Sequence, residues 1–203
     1  MKSGFETIGN ATIIVHDETP LLVTDPWITP HAYFGSWGHT HEIPNEQMQA
    51  IRSCPFVWFS HGHPDHLNPD CISEFNGKTI LLPDHVGQRI ANAFKADGYK
   101  VHILKTAKWY PLSEKVRVQC LADINQDAIL LMDVNGNLLI DCNDAVDLGK
   151  ERYISRLAKN YSHSYLFSIS SLGIADMENY FDETGHFIEP VGLLERAPSG
   201  VAN

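Results

Sequence analysis

Four residues with metal-binding side chains stand within six positions of one another in Ser60-His61-Gly62-His63-Pro64-Asp65-His66, directly after the apolar run Phe56-Val57-Trp58-Phe59. Histidine is polar at one end, and aspartate avoids burial unless it is paired or ligated. A buried strand that ends in such a cluster delivers its side chains to the carboxyl edge of a sheet. Ligands and chemistry collect there in open α/β folds. A solvated loop can also be rich in histidine, but it has no reason to follow four large apolar residues so abruptly. The stretch reads as a metal site.

The flanking sequence supplies a frame for it. Residues 5–24 are rich in β-branched side chains, broken by Gly9-Asn10 and Asp17-Glu18, and predict two or three short antiparallel strands. Asp25-Pro26-Trp27 ends the last of them. Asp25 is read first as a turn residue before proline; the alternative is an outer acceptor that orients a metal-bound histidine. Residues 28–44 form a long connection holding Tyr33, Phe34, Trp37, His39 and His41. Its aromatic content argues against disorder, and we read it as a lid. His39 and His41 repeat the H-x-H spacing, but no strand pattern fixes them, so substrate contact or plain surface is the better reading.

Between residues 45 and 104 the pattern alternates between helix and strand. Asn45 is expected as an N-cap, and helices are expected near 69–75 and 85–97, the latter with Val86, Ile90 and Phe94 inward. After Trp109 the chain turns to β. Lys115 to Cys120 alternates cleanly, and Asn135-Gly136 between two apolar runs marks a hairpin whose second strand enters Asp141-Cys142-Asn143-Asp144. A helix over about 147–159, with Ile154 and Leu157 inward, and a strand over 165–169 complete the pattern. The chain is expected to form one domain over 1–203, with an irregular tail after about residue 176 that suggests truncation.

The 203 residues are 43% apolar and carry a net charge of −10. Such a balance repels a phosphate backbone or an anionic bilayer, so neither nucleic acid nor membrane is expected as a partner, and a small-molecule substrate is. Cys54, Cys71, Cys120 and Cys142 show no C-x-x-C pairing and sit beside apolar residues, which reads as reduced, buried thiols. No stretch approaches the run of about 20 apolar residues that a span requires, so a cytoplasmic protein is expected. Cys142 lies near Asp144, but no basic neighbour lowers its pKa, and packing is the better reading. His16, His31, His85, His102 and His186 are read as structural or surface residues.

The order of elements and the H-x-H-x-D-H cluster resemble the metallo-β-lactamase superfamily, which implies an α/β fold, a four-layer αβ/βα sandwich with metals at the strand edge. Asp25-Pro26-Trp27, the aromatic loop ending Thr40-His41-Glu42-Ile43-Pro44, and Ser60 through Leu67 look most like the metallo-hydrolase part of CMP-N-acetylneuraminate hydroxylase-like and lactonase-like proteins. The likeness covers roughly residues 5–150.

The resemblance implies that His61 and His63 bind one ion, that Asp65 and His66 bind a second, and that Asp144 bridges them. A third histidine normally precedes the hairpin. This chain has Leu121-Ala122-Asp123-Ile124-Asn125-Gln126-Asp127 there instead. Either Asp123 or Asp127 replaces it, shifting preference from Zn toward harder Mn or Fe, or that position is weak or empty. His163 is the loose candidate for the family's last histidine.

The cofactor expectation is therefore one or two divalent ions (Zn, Fe or Mn). The expected reaction is hydrolysis of a small ester, lactone or phosphoester by a metal-bound hydroxide, with Asp65 orienting it or taking its proton and Trp37, His39 and His41 facing substrate or lid. The alternatives are a dinuclear iron oxygenase component needing a redox partner, since the hydroxylase's Rieske ligands have no counterpart here, and a non-catalytic metal-binding module.

Overall fold

The computed structural model describes residues 3–39, 41–147, 149–168, 180–181 and 186–188, and the chain divides into two units, 1–168 and 169–203. The first unit opens with three strands, β1 (Ser3–Gly9), β2 (Thr12–Asp17) and β3 (Thr19–Thr24), paired antiparallel as the β-branched pattern predicts. The connection that follows holds a two-residue pair, β4 (His31–Ala32) and β5 (Trp37–Gly38), joined by a tight turn at Tyr33–Gly35.

Helix α1 (Asn45–Ser53) leads into β6 (Phe56–Trp58), and a 3-10 segment at Pro69–Phe75 leads into β7 (Thr79–Pro83). Helix α2 (Arg89–Ala96) then precedes β8 (Lys100–Leu104). β3, β6, β7 and β8 run parallel and complete a six-stranded sheet in the order β1-β2-β3-β6-β7-β8.

A second sheet takes the rest: β9 (Trp109–Pro111), β10 (Val116–Ala122), β11 (Ala128–Val134) and β12 (Asn137–Asn143) are antiparallel. Helix α3 (Glu151–Ala158) then carries the chain to β13 (Ser164–Ser168), which joins β12 in parallel. The second unit holds a short antiparallel pair, β14 (Tyr180–Phe181) and β15 (Phe187–Ile188). The remainder of the tail expected to be irregular lies outside the described residues.

Side-chain alternation shows how the layers stack. A strand sends successive side chains to opposite faces. Ile13, Val15, Leu22, Trp58 and Leu81 of the first sheet meet Val118, Leu130, Met132 and Leu139 of the second in one buried cluster. Their neighbours Ile14, Val23, Val57 and Ile80 point the other way, onto Ile51 of α1, Phe75, and Ala91 and Phe94 of α2. On the far side of the second sheet, Ile129, Leu131, Leu138 and Ile140 pack on Ile154, Leu157 and Ala158 of α3. Three apolar layers between four layers of structure make the αβ/βα sandwich.

Two local expectations differ. Pro44, not Asn45, occupies the cap of α1: its carbonyl takes the first helical bond from Met48 N–H, and Asn45 is already helical. Val86 is 84% exposed rather than inward, because Gly87 and Gln88 adopt left-handed φ of 77° and 48° and delay α2 to Arg89. All four cysteines are free, and only Cys142 is not fully buried. No helix among the described residues is long and apolar enough to cross a membrane.

Candidate metal centre

Three strand ends meet at one edge of the sandwich. β3 delivers Asp25, β6 delivers Ser60 and the histidine cluster, and β12 delivers Asn143 and Asp144 from the opposite sheet. Asp25 and Asn143 leave their strands with φ of 37° and 53°, a region that Asn and Asp tolerate better than most residues. Gly62 lets the cluster lie close to α2, since a Cβ there would sit 3.3 Å from Ile90 Cδ1.

Two groups of candidate donors share Asp144. In the first, one ligand atom each from His61, His63 and Asp144 lie within 4.8 Å of one another. His61 Nε2 and His63 Nδ1 face each other at 2.7 Å. Two lone pairs at that distance repel unless a proton or a cation lies between them. In the second, His66 Nε2 stands 3.3 Å from Asp65 Oδ2 and 3.4 Å from Asp144 Oδ2. The same Asp144 oxygen is 3.7 Å from His61 Nε2, so it sits between the two histidines.

Each buried histidine is also backed by a carboxylate on its other nitrogen. His66 Nδ1 lies 3.4 Å from Asp25 Oδ2, and Asp25 is fully buried, accepting hydrogen bonds from Ser60 N–H at 2.8 Å and Asn143 Nδ2 at 2.7 Å. His61 Nδ1 is 2.9 Å from Ser60 Oγ and 3.6 Å from Asp127 Oδ1, and Asn143 Nδ2 also donates to Ser60 Oγ. At His61 the Ser60 hydrogen bond on Nδ1 fixes the tautomer that leaves Nε2 free as a ligand, while His66 Nδ1 faces Asp25 without a closed hydrogen bond.

The electrostatics follow from this crowding. Burial, then the nearby His66, pushes His61 down to about 4. Burial works against protonation of His66 as well, but hydrogen bonding to Asp144, Asp25 and Asp65 outweighs it and pushes His66 up to about 12. Burial likewise works to raise Asp65, yet His66 and the Tyr33 hydroxyl hold it down at about 2. Asp127 is pushed up to about 7, chiefly by burial and then by Asp144 and Asp123. Four aspartates around two buried imidazoles leave a surplus of negative charge with N and O donors directed inward. That donor set fits divalent cations.

The other sequence candidates fall elsewhere. Asp123 Oδ1 accepts from Asn125 N–H and Asp127 N–H, closing its own turn, and its other oxygen is 3.9 Å from Lys150 Nζ. Of the two aspartates in that loop, the structure brings only Asp127 to the cluster, on the back of His61 rather than beside His63. His163 is exposed at the start of β13. Because Leu138 pairs with Ser164 and Asn143 with Ser168, His163 lies at the opposite end of the strand pair from Asp144. Leu138, whose N–H bonds the His163 carbonyl, stands six residues before Asp144, which makes that roughly 20 Å.

His39 stacks on Trp27 with ring centroids 4.2 Å apart, His41 is exposed, and Trp37 packs on Tyr33 at 4.8 Å. Ser60 and Asn143 carry no sequence signal of their own beyond adjacency to the candidate ligands. Tyr33, read only as a lid aromatic, donates its hydroxyl to Asp65 Oδ1 at 2.8 Å.

The chain therefore has a metallo-β-lactamase fold with a His/Asp donor cluster at its sheet edge. No family model matches it. It is 26% identical over 136 residues to the cytidine monophosphate-N-acetylneuraminic acid hydroxylase of Asterias rubens, across 63% of this chain and 21% of that protein. The match thus spans about a fifth of the length of that relative. Among solved structures, a metallo hydrolase from Ignicoccus hospitalis aligns with a TM-score of 0.57 and 14% identity, over 76% of this chain and 66% of that one. CmlA, a diiron β-hydroxylase from Streptomyces venezuelae, aligns with a TM-score of 0.59 and 14% identity, over 77% and 32% of the two chains.

Proposed function

We propose that the protein is a metal-dependent hydrolase acting on a small ester, lactone or phosphoester. The observation that carries this reading is Asp144 Oδ2 standing between His61 Nε2 at 3.7 Å and His66 Nε2 at 3.4 Å, so that one carboxylate joins two half-sites. His61, His63 and Asp144 would hold one divalent ion, and Asp65, His66 and Asp144 a second. Such a pair supplies Lewis acidity toward a carbonyl or phosphoryl oxygen and makes water acidic enough to attack near neutral pH.

The chain's own groups prepare that chemistry. Asp25 orients His66, while Ser60 and Asp127 orient His61, so both rings present Nε2 to the cleft. Asp65 Oδ2 is the oxygen turned to the cleft as a ligand, because Oδ1 is taken by Tyr33; from there it would lie beside the attacking water and orient it. His63 stands at the exposed mouth, with the ring of Tyr33, packed on Trp37, beside it.

The test is a panel of lactones, carboxylic esters and phosphoesters, assayed after stripping and reloading with Zn, Mn or Fe. Metal-dependent turnover that Asp144→Ala abolishes supports the proposal, and no turnover with any ion contradicts it. A second reading, a dinuclear iron hydroxylase component, draws on the hydroxylase names of CmlA and the Asterias relative and on the carboxylate-rich donor set. Iron retained through purification, with an O2-dependent absorption change and no hydrolysis, would favour it.

A further inference from the structure

The lid meets the cluster through Tyr33, whose ring stands 6.5 Å from that of His63 and whose hydroxyl bonds one carboxylate. Tyr33 Oη donates to Asp65 Oδ1 at 2.8 Å, while Asp65 Oδ2 faces His66 Nε2 at 3.3 Å. The two oxygens of Asp65 are therefore divided, one to the lid and one to the cleft. A carboxylate without such a partner rotates about its last torsion, which has a broad, two-fold profile. The Tyr33 bond removes that freedom.

The backbone is shaped to make this contact. Tyr33, Phe34 and Gly35 take consecutive φ values of 48°, 57° and 92°. Left-handed conformations at two aromatic residues are unfavourable and persist only where surrounding contacts hold them. Those contacts are present: Ser36 Oγ donates to the Tyr33 carbonyl at 2.7 Å, Trp37 packs on the Tyr33 ring, and Asn68 Nδ2 donates to the His31 carbonyl at 3.0 Å. Asn68 stands two residues beyond His66 and caps the 3-10 segment that follows it. The lid is thus pinned to the histidine loop at both its base and its tip, and the tip grips a candidate ligand. Phe34, by contrast, is fully exposed at the same turn.

We infer that Tyr33 is a positioning residue for the ion held by Asp65 and His66, its hydroxyl fixing Asp65 as a ligand through one oxygen and coupling lid closure to that half-site. This rests on the two-half-site reading above. Outer partners of ligating groups are worth roughly tenfold to a hundredfold in metal affinity.

The test is a Co2+ titration of the metal-stripped full chain, followed by visible absorption, in wild type, Tyr33→Phe, Trp37→Leu and His66→Ala. Wild type is expected to bind in two phases, one of which His66→Ala removes. Tyr33→Phe should weaken that phase by roughly tenfold to a hundredfold and change its ligand-field bands, leaving the other within twofold. Trp37→Leu keeps the hydroxyl but removes its packing, and should weaken the same phase by a smaller factor. An unchanged phase in Tyr33→Phe, or equal loss of both phases in either variant, overturns the inference. A single phase in wild type overturns the two-half-site reading instead.

Discussion

His61 and His66 occupy matching places in the two half-sites and differ in everything that surrounds them. Both are buried, both turn Nε2 toward Asp144, and both have an acidic group within 3.6 Å of Nδ1. Yet His61 is pushed down to about 4 and His66 up to about 12. His61 faces another imidazole across 2.7 Å, whereas His66 is ringed by Asp25, Asp65 and Asp144. One half-site is rich in nitrogen, the other in negative charge. The lesson is that two cation positions built on one carboxylate need not be equal. The Asp65/His66 half-site is the one expected to hold the harder ion and to hold it more tightly.

The largest expected effect removes what the halves have in common. Asp144→Ala should lose both ions, with affinity falling more than about a hundredfold at each position. Metal content after desalting checks it, and retention of one full equivalent would break the symmetry argued for Asp144. Next come the two backing carboxylates. Asp25→Asn should weaken only the ion at His66, and Asp127→Asn only the ion at His61, each by roughly tenfold to a hundredfold. Calorimetric titration separates the two, and a crossed or shared effect would show that the halves are not independently oriented.

The smallest effect concerns Asp141, a buried carboxyl on β12 whose Oδ2 has no hydrogen-bond partner. Burial, then the charge of Asp25, raises its pKa well above the usual carboxylate range. The folded state therefore keeps this proton where the unfolded chain releases it. Unfolding then releases a proton, so stability falls as pH rises above the unfolded value near 4, by at most about 1.4 kcal/mol per pH unit. Asp141→Asn should remove that slope, match wild type near pH 4, exceed it at pH 8, and leave ion binding unchanged. Denaturant midpoints across pH check the first part. An unchanged slope would mean that Asp141 is ionised and adds to the charge around His66.

How much of this was legible in the sequence depends on how local each signal is. The cluster His61, His63, Asp65, His66 was readable because its spacing and the strand before it lie in one short stretch. The layered fold was readable because alternation in β2, β7, β10, β11 and β12 encodes two buried faces. Asp25 could not be resolved from a turn residue because its partners Ser60, His66 and Asn143 are all distant in sequence. Asp123 and Asp127 look alike as letters in one loop. They separate only when the turn forms and Asp123 spends its oxygen on backbone N–H groups. His163 depended on the register of a parallel pair, which nothing local sets. Tyr33 gave a lid signal through its ring, but its hydrogen bond to the cluster is made by the hydroxyl.

The central claim is two cation positions sharing Asp144. Anomalous scattering at the Zn, Fe and Mn edges, from crystals of the metal-loaded protein, gives the number, identity and place of the ions together. The account predicts two peaks, one beside His61 and His63 and one beside Asp65 and His66, both in contact with Asp144. A single peak away from Asp144, or none at any edge, would contradict it.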